Sequence, residues 1–169
     1  MHLLTICGSL QSGGANRALL ETLATLAPAS VDVHESISIG QVPHFNPDLP
    51  EPAPESVQRL RAQIAAADAV VFATPEYAHS LPGVLKNALD WIVGSGDLYD
   101  KPVAVLAAAK SPDRGERGRD ALETTLRAQG ARVVASLTVV PEDVSTALRA
   151  VLQTLITEFA ASRTDRPPP

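Results

Sequence analysis

Cysteine is almost missing from this chain of 169 residues: Cys7 stands alone, so no internal disulfide can form and the chain is compatible with a reducing compartment. Placed inside an apolar run, Cys7 reads as a small buried hydrophobe. No window approaches the roughly 20 apolar residues that a membrane-spanning helix needs. The opening Met1-His2-Leu3-Leu4-Thr5-Ile6 has no basic segment, long apolar stretch and small-residue cleavage site in succession, and a cytoplasmic location is expected. Excess basic charge is lacking too. The net charge is −5, and the arginines between Asp113 and Asp120 alternate with acids instead of forming a stripe, which argues against nucleic acid. His2, His34 and His44 stand apart with no paired carboxylate or cysteine spacing, so no metal site is expected.

The elements present alternate. Leu3 to Cys7 and Ala69 to Ala73 are apolar runs without alternation, the pattern of strands covered on both faces. Val103 to Ala108 and Val133 to Val140 are further strands, and Val31 to Glu35 is a short, weak one. Helical spacing runs through Asn16 to Leu26, Glu55 to Ala67, about Pro82 to Val93, a helix between Gly118 and about Gly130, and Val144 to Ala161. Pro82 suits a first helical turn, and Gly130 a C′ position. Strand and helix in repeated alternation predict an α/β fold with a doubly wound parallel sheet in one domain over residues 1–161. Residues 162–169, ending in three prolines, are expected to be a flexible tail. The proline-rich Ser38 to Pro54 segment is long enough to be functional or interfacial.

Three loops would share the carboxyl edge of such a sheet, where open α/β folds bind ligands. Gly8 to Asn16 opens onto a helix N-terminus, where unpaired N–H groups and the helix dipole can hold a phosphate without many cations. Gly8 and Gly13 have the Walker A spacing, but Gly14-Ala15 stands in place of Lys-Ser/Thr. The dinucleotide fingerprint fails as well, and Glu35 is its one candidate ribose acid. A monophosphate-sized site remains. Pro75 to Ser80 follows the third strand, stiffened by proline, with Tyr77 offering a flat ring for a planar heterocycle. Ala109 to Gly118, containing Lys110, Ser111, Arg114, Gly115 and Arg117, would close the far side. No catalytic triad is expected. His79 is a candidate proton donor because an unperturbed imidazole titrates near neutrality.

Taken together, the residues resemble the NADPH-dependent FMN reductase family, the flavodoxin-like group that includes azo, quinone and chromate reductases. Gly8, Ser9 and Asn16 match its opening loop. The Pro75-Glu76-Tyr77 segment and Pro82-Gly83-Val84-Leu85-Lys86-Asn87-Ala88-Leu89-Asp90-Trp91 match a long second motif, and Val42 to Leu49 resembles a loop near the flavin edge and subunit contact. The resemblance implies a flavodoxin-like three-layer sandwich with a five-stranded parallel sheet in the order 2-1-3-4-5. It implies FMN as cofactor and NADPH or NADH as co-substrate. Electrons would pass to a quinone, azo compound, metal oxyanion or free flavin, in a homodimer or homotetramer. Ser9, Gln11, Gly14 and Asn16 would meet the FMN phosphate. Pro75, Glu76, Tyr77 and Ala78, with Ser111 and Gly115, would line the ring system. Gln11, Gly14 and Ala78 stand where the family has Arg, Ser and Asn. Those departures open a reading from another class, a flavodoxin-like binding or scaffold protein with weak or lost FMN binding.

Overall fold

Sequence alternation becomes a parallel sheet because each strand is followed by a helix long enough to cross back over it. The computed structural model describes residues 1–49 and 52–164. Its strands are β1 (His2–Cys7), β2 (Asp32–Glu35), β3 (Ala69–Ala73), β4 (Pro102–Ala108) and β5 (Arg132–Val139). All adjacent pairs are parallel, in the order β2-β1-β3-β4-β5. This is the expected flavodoxin-like order, with the reversal between β1 and β3.

The helices are α1 (Ala15–Leu26), α2 (Glu55–Ala66), α3 (Gly83–Ile92), α4 (Glu116–Ala128) and α5 (Val144–Thr164). Strand residues alternate between two cores. Leu4, Ile6, Val70, Phe72, Val103 and Val105 face α2, α3 and α4. Leu3, Val71, Ala104 and Leu106 face α1 and α5. The apolar runs without alternation thus record burial on both faces.

Some boundaries move from the expected ones. α4 begins at Glu116, so Gly118 lies inside the helix and not in the preceding loop. Pro82 caps α3 from outside, its carbonyl accepting the N–H groups of Leu85 and Lys86, both at 3.0 Å. α5 runs on to Thr164, past the expected boundary at Ala161, while 165–169 of the tail and Pro50 of the proline-rich segment lie outside the described residues. Gly130 does what a C′ glycine should: it takes φ +78°, its N–H donates to the Arg127 carbonyl, and Ala131 N–H reaches back to Leu126. These two bonds form a Schellman closure.

α2 ends without a glycine, and a side chain from elsewhere finishes it. Lys101, just before β4, donates from Nζ to the carbonyls of Ile64 and Ala67, both at 2.6 Å. Burial pushes its ammonium below the ordinary value, yet the charge lies at the negative end of the helix dipole. Lys101→Met removes the donor and should cost roughly 1 kcal/mol, read as a fall in Tm of about 2–4 °C; an unchanged Tm would show that water caps α2 equally well.

Candidate functional site

The loop after β1 is shaped by two internal bonds. Gln11 N–H donates to Ser9 Oγ at 3.2 Å, and Gly14 N–H to the Gln11 carbonyl at 3.3 Å. The Gly14 N–H, expected to face a ligand, is therefore engaged inside the loop. The N–H groups of Ser9, Ser12, Gly13, Ala15 and Asn16 donate to nothing among the described residues, and the last two belong to the first turn of α1. Unpaired N–H groups clustered at a helix N-terminus are the kind of donor set that can hold an anion. Asn16 is buried, and its Oδ1 accepts the Ala108 N–H at 2.9 Å, tying α1 to the end of β4. Its Nδ2 has no partner among the described residues.

After β3 the chain makes a two-residue hairpin turn. Tyr77 and Ser80 exchange both backbone hydrogen bonds at 3.0 Å. Between them Ala78 and His79 take φ +49° and +61°, the sign that a type I′ turn demands at both central positions. Neither is glycine, so both carry the cost of a left-handed conformation. Asparagine, which the family has at 78, tolerates that region better than alanine. The backbone thus gives a reason for the family residue that needs no ligand contact.

Glu76 was expected to line a ring system, and the structure gives it a second task. Its Oε1 is 3.1 Å from His79 Nδ1, and its Oε2 accepts the Gly118 N–H at 3.2 Å. The imidazole and that N–H hold the carboxyl below its ordinary value. α4 has no cap from its own Gly115, so Glu76 reaches across to supply one. A Cβ on Gly118 would sit 3.0 Å from Glu76 Cα; glycine is what lets the β3 loop lie against α4.

The second motif also has the structural role expected of Asn87 and Trp91, and its partner is a segment that spacing alone does not name. Asn87 accepts the Phe45 N–H at 2.8 Å and donates to the Pro43 carbonyl at 2.9 Å. Trp91 Nε1 donates to the same carbonyl at 2.8 Å, and its ring meets Phe45 edge-on, centroids 5.2 Å apart. One face of α3 therefore holds the irregular Val42–Leu49 segment. Lys86 and Asp90 form an i,i+4 pair at 2.6 Å on the same helix.

Between these loops and the start of α5 lies a cleft of about 1020 Å³. Of the expected site residues, Pro75, Glu76 and Gly115 line it, as do His79, Lys110, Arg114 and Arg117. Ser9, Gly14 and Asn16 are buried and Gln11, Tyr77 and Ala78 are exposed, and none of these six lines its wall. Ser111 is not on the wall either, and its hydroxyl bonds Asp113, which holds that carboxyl below its usual value. The apolar floor from Ala18, Leu19, Val139 and Val144 was not anticipated, because it unites elements far apart in sequence. Glu35 pairs with Arg17 and is not free to meet a ribose.

The family model for NADPH-dependent FMN reductase matches residues 1–144. A quinone reductase of Escherichia coli K12 is 39% identical over 121 residues, 69% of this chain; the match spans 64% of that enzyme's length. A 2-hydroxy-1,4-benzoquinone reductase of Burkholderia sp is 32% identical, with 98% of each chain covered. Among solved structures, a flavoenzyme NAD(P)H:(acceptor) oxidoreductase of Paracoccus denitrificans superposes with a TM-score of 0.80 at 27% identity, covering 95% of this chain and 97% of that one.

The strained turn yields a direct test. Ala78→Asn should relieve part of the left-handed cost and stabilise the protein by roughly 1 kcal/mol, raising Tm by about 2–4 °C. A lower Tm would mean that residue 78 does not occupy that conformation in solution.

Proposed function

The chain belongs to the NADPH-dependent FMN reductase family, and from that premise we propose that it binds FMN and reduces quinones at the expense of NAD(P)H. The observation that carries this reading is the set of unpaired N–H groups over Ser9 to Asn16, at an α-helix N-terminus beside a cleft of about 1020 Å³. A phosphate monoester fits that seat. The backbone donors, the Ser12 hydroxyl and Asn16 Nδ2 would hold it, and the dipole of α1 supplies partial positive charge where the loop has no lysine or arginine. Gln11 offers an amide where the family has a guanidinium.

Pro75, Glu76 and Tyr77, with Gly115 opposite, would flank a planar ring, the Glu76–Gly118 bond keeping that wall in place. FMN held there supplies the two-electron relay from nicotinamide to acceptor, chemistry that resides in the cofactor. Turning a quinone into a hydroquinone also takes protons. His79 lines the cleft with Nδ1 against Glu76, which leaves Nε2 as the nitrogen that can deliver one. Arg114 and Arg117, exposed on the same wall, would meet the phosphates of NAD(P)H.

Quinones are the preferred acceptors because the E. coli and Burkholderia relatives are named for them. Azo compounds, metal oxyanions and free flavin are the other acceptors such an open cleft would admit. Work in the cytoplasm suits a nicotinamide-dependent enzyme whose one thiol is buried, and no helix among the described residues is long and apolar enough to cross a membrane. A homodimer or homotetramer is the expected assembly, with the segment bearing Phe45 and Leu49, both exposed, at the contact.

The test is spectroscopic. Protein mixed with FMN and desalted should stay yellow, bleach with NADPH under anaerobic conditions, and regain colour on adding benzoquinone. His79→Ala should slow only the last step, by about a hundredfold. Protein that gives up all its FMN on desalting and consumes no NADPH with quinone present would instead support the flavodoxin-like binding or scaffold reading that Gln11, Gly14 and Ala78 motivate.

A further inference from the structure

Three side chains that look scattered in sequence meet at the opposite end of the sheet. β1 and β2 pair in parallel with His2 beside Asp32 and Leu4 beside His34. Residues two apart on a strand share a face, so His2, Asp32 and His34 project together on the side of α2, where Leu4 is packed. His34 Nε2 lies 2.8 Å from Asp32 Oδ2, His2 Nδ1 lies 3.5 Å from the same oxygen, and all three donor atoms fall within 4.8 Å of one another. The imidazoles stack with centroids 6.3 Å apart. All three residues are exposed, although their strand face is the one that apolar residues occupy elsewhere in the sheet. α2 leaves this corner uncovered, and a groove of about 300 Å³, lined by His2, His34, Gln63 and Ala66 among others, opens beside the cluster.

We propose that His2, Asp32 and His34 form a surface site for a divalent transition ion of the zinc type, bound through two imidazole nitrogens and one carboxylate oxygen. Two nitrogens and an oxygen with no thiolate match the donor set of zinc sites that keep an open position for water. Ligand bonds of about 2.0–2.2 Å at tetrahedral angles put neighbouring donors about 3.3 Å apart. The separations of 2.8 and 3.5 Å bracket that spacing, so small side-chain rotations suffice. The ion would take the place of the proton that now joins His34 to Asp32, and the adjoining groove leaves room for water or a small ligand on its open side. Neighbouring carboxylates do not compete: Glu35 turns to the other face to pair with Arg17, and Asp68 accepts the His2 backbone N–H at 2.7 Å. Because the ligands come from two strands, the ion would pin the four-residue edge strand β2 to β1.

The test uses the full chain without a histidine tag, titrated calorimetrically with zinc in a non-chelating buffer, alongside His34→Ala, Asp32→Asn and, as a control away from the cluster, His44→Ala. One equivalent should bind the parent protein, and a saturating excess of about a hundredfold over Kd should raise Tm by roughly 5–10 °C. Each cluster variant should weaken binding by about 100-fold or more, given that even outer-shell partners carry 10–100-fold, while His44→Ala binds as the parent does. Tm without zinc confirms that the variants fold. Absent binding, or binding that survives both cluster substitutions, overturns the proposal and leaves the three residues as polar protection of an exposed sheet edge.

Discussion

The carboxyl ends of β1, β3 and β4 finish side by side, and the loops that leave them must share one small volume. A chain of hydrogen bonds sets how they do it. Gly8 N–H donates to Ala73 at 2.7 Å, Thr74 N–H to Leu106 at 2.9 Å, and Ala108 N–H to the Asn16 side chain at 2.9 Å. Glu76 then ties the β3 loop to the first turn of α4 through Gly118. Each link joins a different pair of elements, so the loops after β1, β3 and β4 and the first turn of α4 form one connected frame. Preorganisation of this kind is what a protein contributes when the chemistry belongs to a cofactor.

This frame changes the meaning of several residues. Asn16 spends one end of its amide on β4, and the other end has no partner among the described residues. Glu76 is first a helix cap and only then a cleft residue. Asn87 and Trp91, deep in the longest recognisable motif, act by holding the backbone of Pro43 and Phe45 against α3. A motif can be long and specific because part of it holds neighbouring backbone in place, not because each of its residues meets a ligand.

The fold was legible in the sequence because double burial writes itself into composition: Ala69–Ala73 and the run after Lys101 carry no polar alternation, and the strand boundaries there fall within a residue of those expected. The first turn of α4 was misread because Gly115, Gly118 and the intervening charges look like loop chemistry, while the carboxylate that makes a helix of them comes from Glu76, far off in the chain. Parallel register is equally silent in one dimension. His2 and Asp32 become neighbours only when β1 and β2 pair, and no spacing rule joins them. The left-handed turn at Ala78 was hidden for the opposite reason, since turn chemistry calls for Asn, Asp or Gly there and not alanine.

In the proposed function, the unpaired N–H groups over Ser9 to Asn16 recognise a phosphate. A fluorescence titration comparing FMN with riboflavin tests it most directly, because the two ligands share the ring and differ only in that group. With several charge-assisted bonds at roughly 1.5–3 kcal/mol each, FMN should bind at least about 100-fold more tightly than riboflavin. Equal affinities would contradict the account and place the flavin, if it binds, by its ring alone.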